Sequence, residues 1–204
     1  DPLGIVLLKG GFIAFIIITN VIGVKAAGRV NDGLTIAKLT PLLLIIAGGL
    51  AFILLQPSTV ADNLTPFFQG DSGNLGQAVV LIFWAYAGFE ISTLPADDVE
   101  KAERTIPKAI VLGMVIVILF YFTTNLMVIG SVSEPILMQS STPLINAAST
   151  IYSYPPLLQQ IVVLVIGIGA LVSIMGSDES GTIGTSRLTY AMSVSGLLPH
   201  ALSK

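Results

Sequence analysis

Apolar residues run through this chain in long blocks, with polar residues gathered between them. Five blocks come close to about 20 residues, the length a helix rising about 1.5 Å per residue needs to cross a hydrocarbon core about 30 Å thick. They cover roughly Gly10 to Ala27 (or from Leu3), Gly33 to Leu55, Leu75 to Leu94, Pro107 to Gly130 and Leu157 to Ser177. Gln56 with Pro57 closes the second and Pro95 the third. Between the fourth and fifth lies SEPILMQSSTPLINAASTIYSYPP, Ser133 to Pro156, too polar to span and too apolar for a plain loop. It predicts one or two short helices on the outer surface.

Composition turns these blocks into a class. Of 204 residues 53% are hydrophobic and 10% charged, and the mean hydropathy is +0.89; soluble domains carry about 25% charged residues. A soluble chain of this length could not hide so much apolar surface, so the expectation is an all-α integral membrane protein. With no cysteine and one histidine, His200, thiol catalysis, disulfides and transition-metal sites find no residues,. No serine–histidine pair or second membrane aspartate suggests an intramembrane enzyme, and neither a cofactor nor a metal is expected. A net charge of −3 without a dense basic run argues against nucleic acid,. The chain begins at Asp1 with no signal-peptide pattern and reads as an excerpt,.

Cations set the orientation, because loops rich in Lys and Arg stay cytoplasmic. Lys25 and Arg29 fall between blocks one and two, Lys101, Arg104 and Lys108 between three and four, and Arg187 and Lys204 after five. The alternate stretches 56–75 and 131–156 contain neither residue. Loops 24–33 and 96–107 and the C-terminal segment 187–204 are therefore expected to be cytoplasmic, and 56–75 and 131–156 external.

Three features break the apolar rule. The first is FWAYAGFE, Phe83 to Glu90. In lipid a broken helix is tolerated only where it faces protein or a watery cavity, and a charged Glu at mid-membrane costs about 2.5 to 3.5 kcal/mol. On residues alone the block reads as an uninterrupted helix to Pro95, with Glu90 in its inner half; Gly88 then serves close packing and Glu90 caps a neighbour or reaches the interface. The other reading is a break at Ala87 and Gly88. The second feature is Lys38, one turn or more inside block two and followed by Pro41. It either snorkels to water or points inward, where burial would favour loss of its proton. The third is the fifth block, where Gly169, Ser173, Ser177, Gly181 and Thr185 recur every four residues, a spacing read as one small-residue face,. Such a stripe packs closely and brings hydroxyls and carbonyls of the kind a cation or ammonium would use. If the helix ends near Ser177, Asp178 and Glu179 are a polar end; if it continues to Thr185, they become candidates for a proton path.

Three stretches carry a resemblance. FWAYAGFE, ADDVEKAERTIPKAI and SRLTYAMSVSGLLP resemble the sixth helix, the following loop with the start of the seventh helix, and the end of the eighth helix of amino-acid permeases of the amino acid–polyamine–organocation superfamily. NVIGVKAAGRVNDGLTIAKLTPLL is similar to the end of the fourth helix and start of the fifth. The resemblance covers almost the whole chain in the right order.

It implies a leucine-transporter-like bundle of two inverted five-helix repeats, each opening with an unwound helix. Residues 1–55 would be the last two helices of the first repeat, 56–75 an external loop, and 76–204 the first three helices of the second. Phe83, Trp84, Ala87 and Gly88 would bind the amino-acid substrate, with Trp84 as an aromatic lid. Glu90 would be a gating or proton-linked acid. Lys38 matches the lysine that stands in for a sodium ion in proton-coupled members, and Ser173 with Ser177 the eighth-helix part of that cation-like site. Asp178 and Glu179 depart from the family, where small or amide residues are usual. The implied function is secondary amino-acid transport by proton-coupled symport, with protons, the bilayer and the remaining helices of a longer transporter as partners. The alternatives are an amino acid or amine exchanger and a non-transporting membrane subunit.

Overall fold

The computed structural model describes residues 2–22, 24–66, 72–93 and 99–203; the side chains at 2, 5, 8, 24–27, 72–74, 84, 90 and 92 fall outside that description. Among the described residues every regular element is helical. The α-helices are α1 (Pro2–Ile22), α2 (Val24–Leu55), α3 (Pro57–Leu64), α4 (Ser72–Trp84), α5 (Ala102–Ser131), α6 (Glu134–Gln139), α7 (Pro143–Ile151) and α8 (Pro156–Val194), with 3-10 helices at Phe89–Thr93 and His200–Ser203.

Among the described residues, three helices are long and apolar enough to cross a membrane: Gly28–Leu55 within α2, then Ala102–Ser131 and Pro156–Val194. The fourth and fifth blocks and the main part of the second thus stand as expected, and α6 and α7 fill the Ser133–Pro156 stretch. The first block is shorter as an apolar helix, Lys9–Ile22, and the third is interrupted.

The helices also outrun their apolar blocks. Residues 24–33, expected as a loop, form the start of α2, and residues 187–194 belong to α8. The 56–75 stretch contains α3 and the first turn of α4. A helix satisfies its own backbone in water as well as in lipid, so hydropathy marks where lipid could begin and not where the helix stops. What does stop α8 is local chemistry: Gly196 takes φ 78°, and Leu197 N–H donates to the Met192 carbonyl (2.9 Å) while Gly196 N–H donates to that of Ser193 (3.1 Å). This pair of bonds is the Schellman closure, which needs the left-handed residue that glycine supplies.

The described chain divides into two compact units, 1–36 with 87–111 and 172–204, and 37–86 with 112–171. In the second unit the core is Ile45 of α2, Met127 and Val128 of α5, Val132 just beyond it, Ala147 and Ala148 of α7, and Val162 and Ile166 of α8. Two glycine surfaces let helices meet there. Gly49 lies against Met127, and Gly169 against the ring of Pro41. Pro41 has no N–H for the Ala37 carbonyl, which weakens α2 at that turn. Side chains then tie connecting elements to the long helices: Tyr152 hydroxyl donates to the Leu44 carbonyl (2.8 Å), and Asn63 Nδ2 to the Gly130 carbonyl (3.0 Å).

In the first unit the buried contacts are polar as well as apolar. Ile16 and Thr19 are buried on α1, and Gly176, Glu179 and Gly184 on α8. Ser193 closes the C-terminal end by donating to the Pro199 carbonyl (2.7 Å).

Candidate functional site

The reading of the third block as one uninterrupted helix does not hold. Helix α4 ends at Trp84, residues 85–88 form a turn, and a 3-10 helix follows at Phe89–Thr93. Gly88 sits at φ 111°, a conformation costly for any residue with a Cβ. The backbone bonding tightens accordingly: Ala85 N–H donates to Ile82 (2.9 Å), Tyr86 N–H to Phe83 (3.0 Å) and Ile91 N–H to Gly88 (3.1 Å). These are three-residue steps in place of the four-residue α-helical ladder.

One side of the break is braced. The Tyr86 ring meets the Tyr121 ring of α5 edge to face, with centroids 5.7 Å apart and planes at 66°, a favoured aromatic geometry. Phe83 is 74% exposed, Ala87 is exposed and Gly88 half-buried. The side chains of Trp84 and Glu90, expected as lid and gating acid, lie outside the described residues. The boundary between the two compact units falls inside this turn, after Tyr86.

Lys38 is half-buried on α2. Because α2 starts at Val24, the lysine stands about four turns inside the helix, not near its end as the sequence suggested. It belongs to the second unit, whereas Ser173 and Ser177 belong to the first. The Ser177 hydroxyl donates to the Ser173 carbonyl (3.0 Å) within its own helix, the ordinary use of a helical serine.

The small-residue face needs correcting. Gly169 is buried against Pro41, but Ser177 and Thr185 are exposed and Gly181 has no neighbour within 4 Å of an added Cβ. A helix turns about 100° per residue, so a strict four-residue repeat advances about 40° each step and spirals off the buried side. The residues buried along α8 are Val162, Ile166, Gly169, Gly176, Glu179, Gly184 and Ser193, close to the true helical period.

That period brings in residues the sequence left undecided or unnoticed. Since α8 continues past Thr185, Asp178 and Glu179 lie within it; Asp178 is exposed and Glu179 is 0% exposed. The Thr19 hydroxyl lies 3.1 Å from both Glu179 Oε1 and Oε2, and Asn20 Nδ2 donates to Oε1 at 3.1 Å. One residue on, the Ser180 hydroxyl donates to Asn31 Oδ1 at 2.8 Å. A polar belt thus joins the end of α1 and the first part of α2 to the middle of α8. Its signal was present in IIITNVIG, where a hydroxyl and an amide interrupt an apolar block, but nothing local says which distant residue they meet. Beside the belt, the faces of α1 from Phe12 to Val21 and α8 from Ser177 to Tyr190, with Leu202, line an open groove of about 1090 Å³.

Long apolar helices, an apolar block broken in mid-run and a polar belt around a buried glutamate define a multi-pass helical membrane protein. The family model described as amino acid permease matches residues 5–204, and the chain belongs to that family. It is 30% identical over 204 residues to the human cystine/glutamate transporter, covering 98% of this chain and 39% of that protein. It is also 30% identical to an uncharacterized protein of Methanocaldococcus jannaschii (98% and 44% covered) and 26% identical to a branched-chain amino acid permease of Bacillus subtilis (94% and 40%). The chain therefore spans about two fifths of the length of these relatives. No solved structure matches it.

Proposed function

We propose that this chain is part of a secondary amino-acid transporter that works by alternating access as a proton-coupled symporter. The observation that carries the reading is the break at residues 85–88, with Gly88 at φ 111°, in a member of the amino acid permease family. Irregular backbone at membrane depth needs polar partners, and an amino acid's ammonium and carboxylate groups offer both a donor and an acceptor. Phe83, Trp84, Ala87 and Gly88 would take the substrate, Trp84 closing over it. Residues 1–55 and 76–204 would close the first inverted repeat and open the second, with the rest of the bundle supplied by further helices.

Lys38 would couple the proton, Ser173 and Ser177 would be cation-site-like hydroxyls, and Glu90 would gate. The test is uptake by the full-length protein in proteoliposomes with an imposed pH gradient. Lys38→Ala should abolish the gradient-driven part of uptake; an unchanged response removes Lys38 from the mechanism. Exchange is the second reading, favoured by the human relative whose name pairs two amino acids. Uptake that requires counter-substrate inside the vesicle and ignores the pH gradient would select it. A non-transporting subunit would give no uptake in either arm.

A further inference from the structure

Lys101, Arg104 and Lys108 are exposed where α5 begins. The Lys101 carbonyl accepts from Arg104 N–H (2.9 Å) and Thr105 N–H (3.0 Å), which puts Lys101 in register at the head of the helix. At about 100° per residue these cations fall within about 60° of one another around the axis. The same side of α5 continues as Val111, Leu112, Val115, Leu119 and Phe122, exposed by 49% to 69%, and cations and apolar residues together keep to an arc of about 100°. The residues that α5 buries, Thr124, Met127 and Val128 among them, turn the other way. From Val111 to Phe122 the stripe rises about 17 Å, close to the depth of one leaflet's chains, about 15 Å as half of the hydrocarbon core. The face therefore has the plan of a lipid molecule, with charge at one end and apolar length behind it.

We propose that this face of α5 binds an anionic phospholipid, its phosphate on Lys101, Arg104 and Lys108 and its chains along the stripe from Val111 to Phe122. Each half of the face selects for one half of the ligand. A cation near a membrane surface favours anionic over uncharged headgroups by about fivefold, and Arg104 can hold two phosphate oxygens at once where a lysine acts as a point charge. The long stems of Lys and Arg lie along apolar surface while their charged ends stay at headgroup level. A soluble anion would gain nothing from the apolar stripe, and an uncharged lipid nothing from the cations. Acids lie in the same stretch: Glu100 and Glu103 are exposed, and the side chains of Asp97 and Asp98 fall outside the described residues. Glu103 stands about 100° round the helix from Arg104 and off the arc. Binding requires that the cations share a face, which the helix fixes, and not that they lack an acidic neighbour, since a phosphate adds to such a pair or exchanges with it. This surface stands whichever transport reading holds.

The experiment is native mass spectrometry of the full-length protein, released from detergent after titration with phosphatidylglycerol or with phosphatidylcholine of the same chains. Wild type should retain phosphatidylglycerol at concentrations where phosphatidylcholine has dissociated. Each of Lys101→Gln, Arg104→Gln and Lys108→Gln should weaken phosphatidylglycerol about fivefold, and the triple variant about a hundredfold, with unchanged phosphatidylcholine retention as the sign of an intact fold. Arg29→Gln, the same charge change at an exposed cation on α2, should keep the wild-type preference. Glycerol phosphate, which carries the charge without the chains, should not displace the lipid. Equal retention of the two lipids by wild type overturns the proposal, and is the result expected if another helix of the full-length protein covers this face. A preference that survives the triple variant, falls as far in Arg29→Gln, or yields to glycerol phosphate overturns it too.

Discussion

Gly169→Ala is the substitution for which the structure fixes a sign. An added Cβ there would collide with the Pro41 ring, meeting Cγ first and then Cδ and Cβ. A proline ring cannot swing aside as a methionine can, so relief must come from moving α2 or α8. Overpacking of this kind costs about 1–3 kcal/mol, while replacing a helical glycine by alanine gains about 0.5–1 kcal/mol. The net expectation is a loss of about 1–2.5 kcal/mol, taking the upper half of the overpacking range because the obstacle is rigid. Gly167 is the internal control: it lies in the same helix with nothing within 4 Å of an added Cβ, so Gly167→Ala keeps only the gain of about 0.5–1 kcal/mol. Heating the detergent-solubilised full-length protein and following the monodisperse fraction should place Gly169→Ala below wild type and Gly167→Ala at or above it. Adding Pro41→Ala removes the ring, so the double variant should recover stability, a coupling of about 0.5–3 kcal/mol in a double-mutant cycle. A Gly169→Ala protein as stable as wild type, or strictly additive effects with Pro41→Ala, would refute the packing argument.

Two further outcomes follow from single residues. Gly88 at φ 111° has open space around an added Cβ, so Gly88→Ala should cost backbone strain of about 1–3 kcal/mol and nothing in contacts; uptake by the full-length variant should fall, and undiminished uptake would mean the turn is not used as built. Tyr152→Phe removes the bond to the Leu44 carbonyl and should lower stability by about 0.5–1.5 kcal/mol in the same heating assay. Burial raises the Tyr152 phenol above the ordinary tyrosine value, with a backbone hydrogen bond at Gly48 opposing. The neutral phenol is the form the fold favours, so its contribution is complete below about pH 10 and is lost as pH rises through the folded value. An absorbance titration of wild type minus Tyr152→Phe should show one phenolate appearing late.

The class of the molecule was legible because hydropathy and length answer one question, whether a segment can lie in lipid. They do not answer where a helix ends. Residues 24–33 looked like a loop because they carry Lys25 and Arg29 between two apolar blocks, yet α2 runs through them, the poor helix formers Gly28, Asn31, Asp32 and Gly33 included. The lost propensity is about 0.5–1 kcal/mol per residue, small beside tertiary contacts such as Asn31 with Ser180. The end of α8 has a local cause instead: Gly196 and Pro199 are stop signals that lie well beyond the apolar block closing at Ser177, and the Schellman bonds form at Gly196. The break at residues 85–88 lies between these cases. Gly88 permits it, but an Ala-Gly pair inside an apolar run equally permits a straight helix, and on residues alone the choice stayed open.

The polar belt shows why pattern reading stops short of a site. The four-residue repeat in α8 drew attention to Ser173 and Ser177, whereas the helical period turns Glu179 inward and leaves Ser177 outside. An error of about 40° per step is invisible over one turn and decisive over four. Once Glu179 is inside, the energetics constrain its surroundings more tightly than any motif does. A buried acid without donors or acceptors would cost several times the net value of a good hydrogen bond, so a sequence that keeps one must keep its partners, and Thr19 and Asn20 acquire a role that neither residue shows alone. The same reasoning ranks the irregular features by what could move. The break is spanned by short-range backbone bonds within one stretch of chain. The Glu179 contact exists only while α1 and α8 stay together, so any motion that separates them must first find water or another donor for that carboxyl.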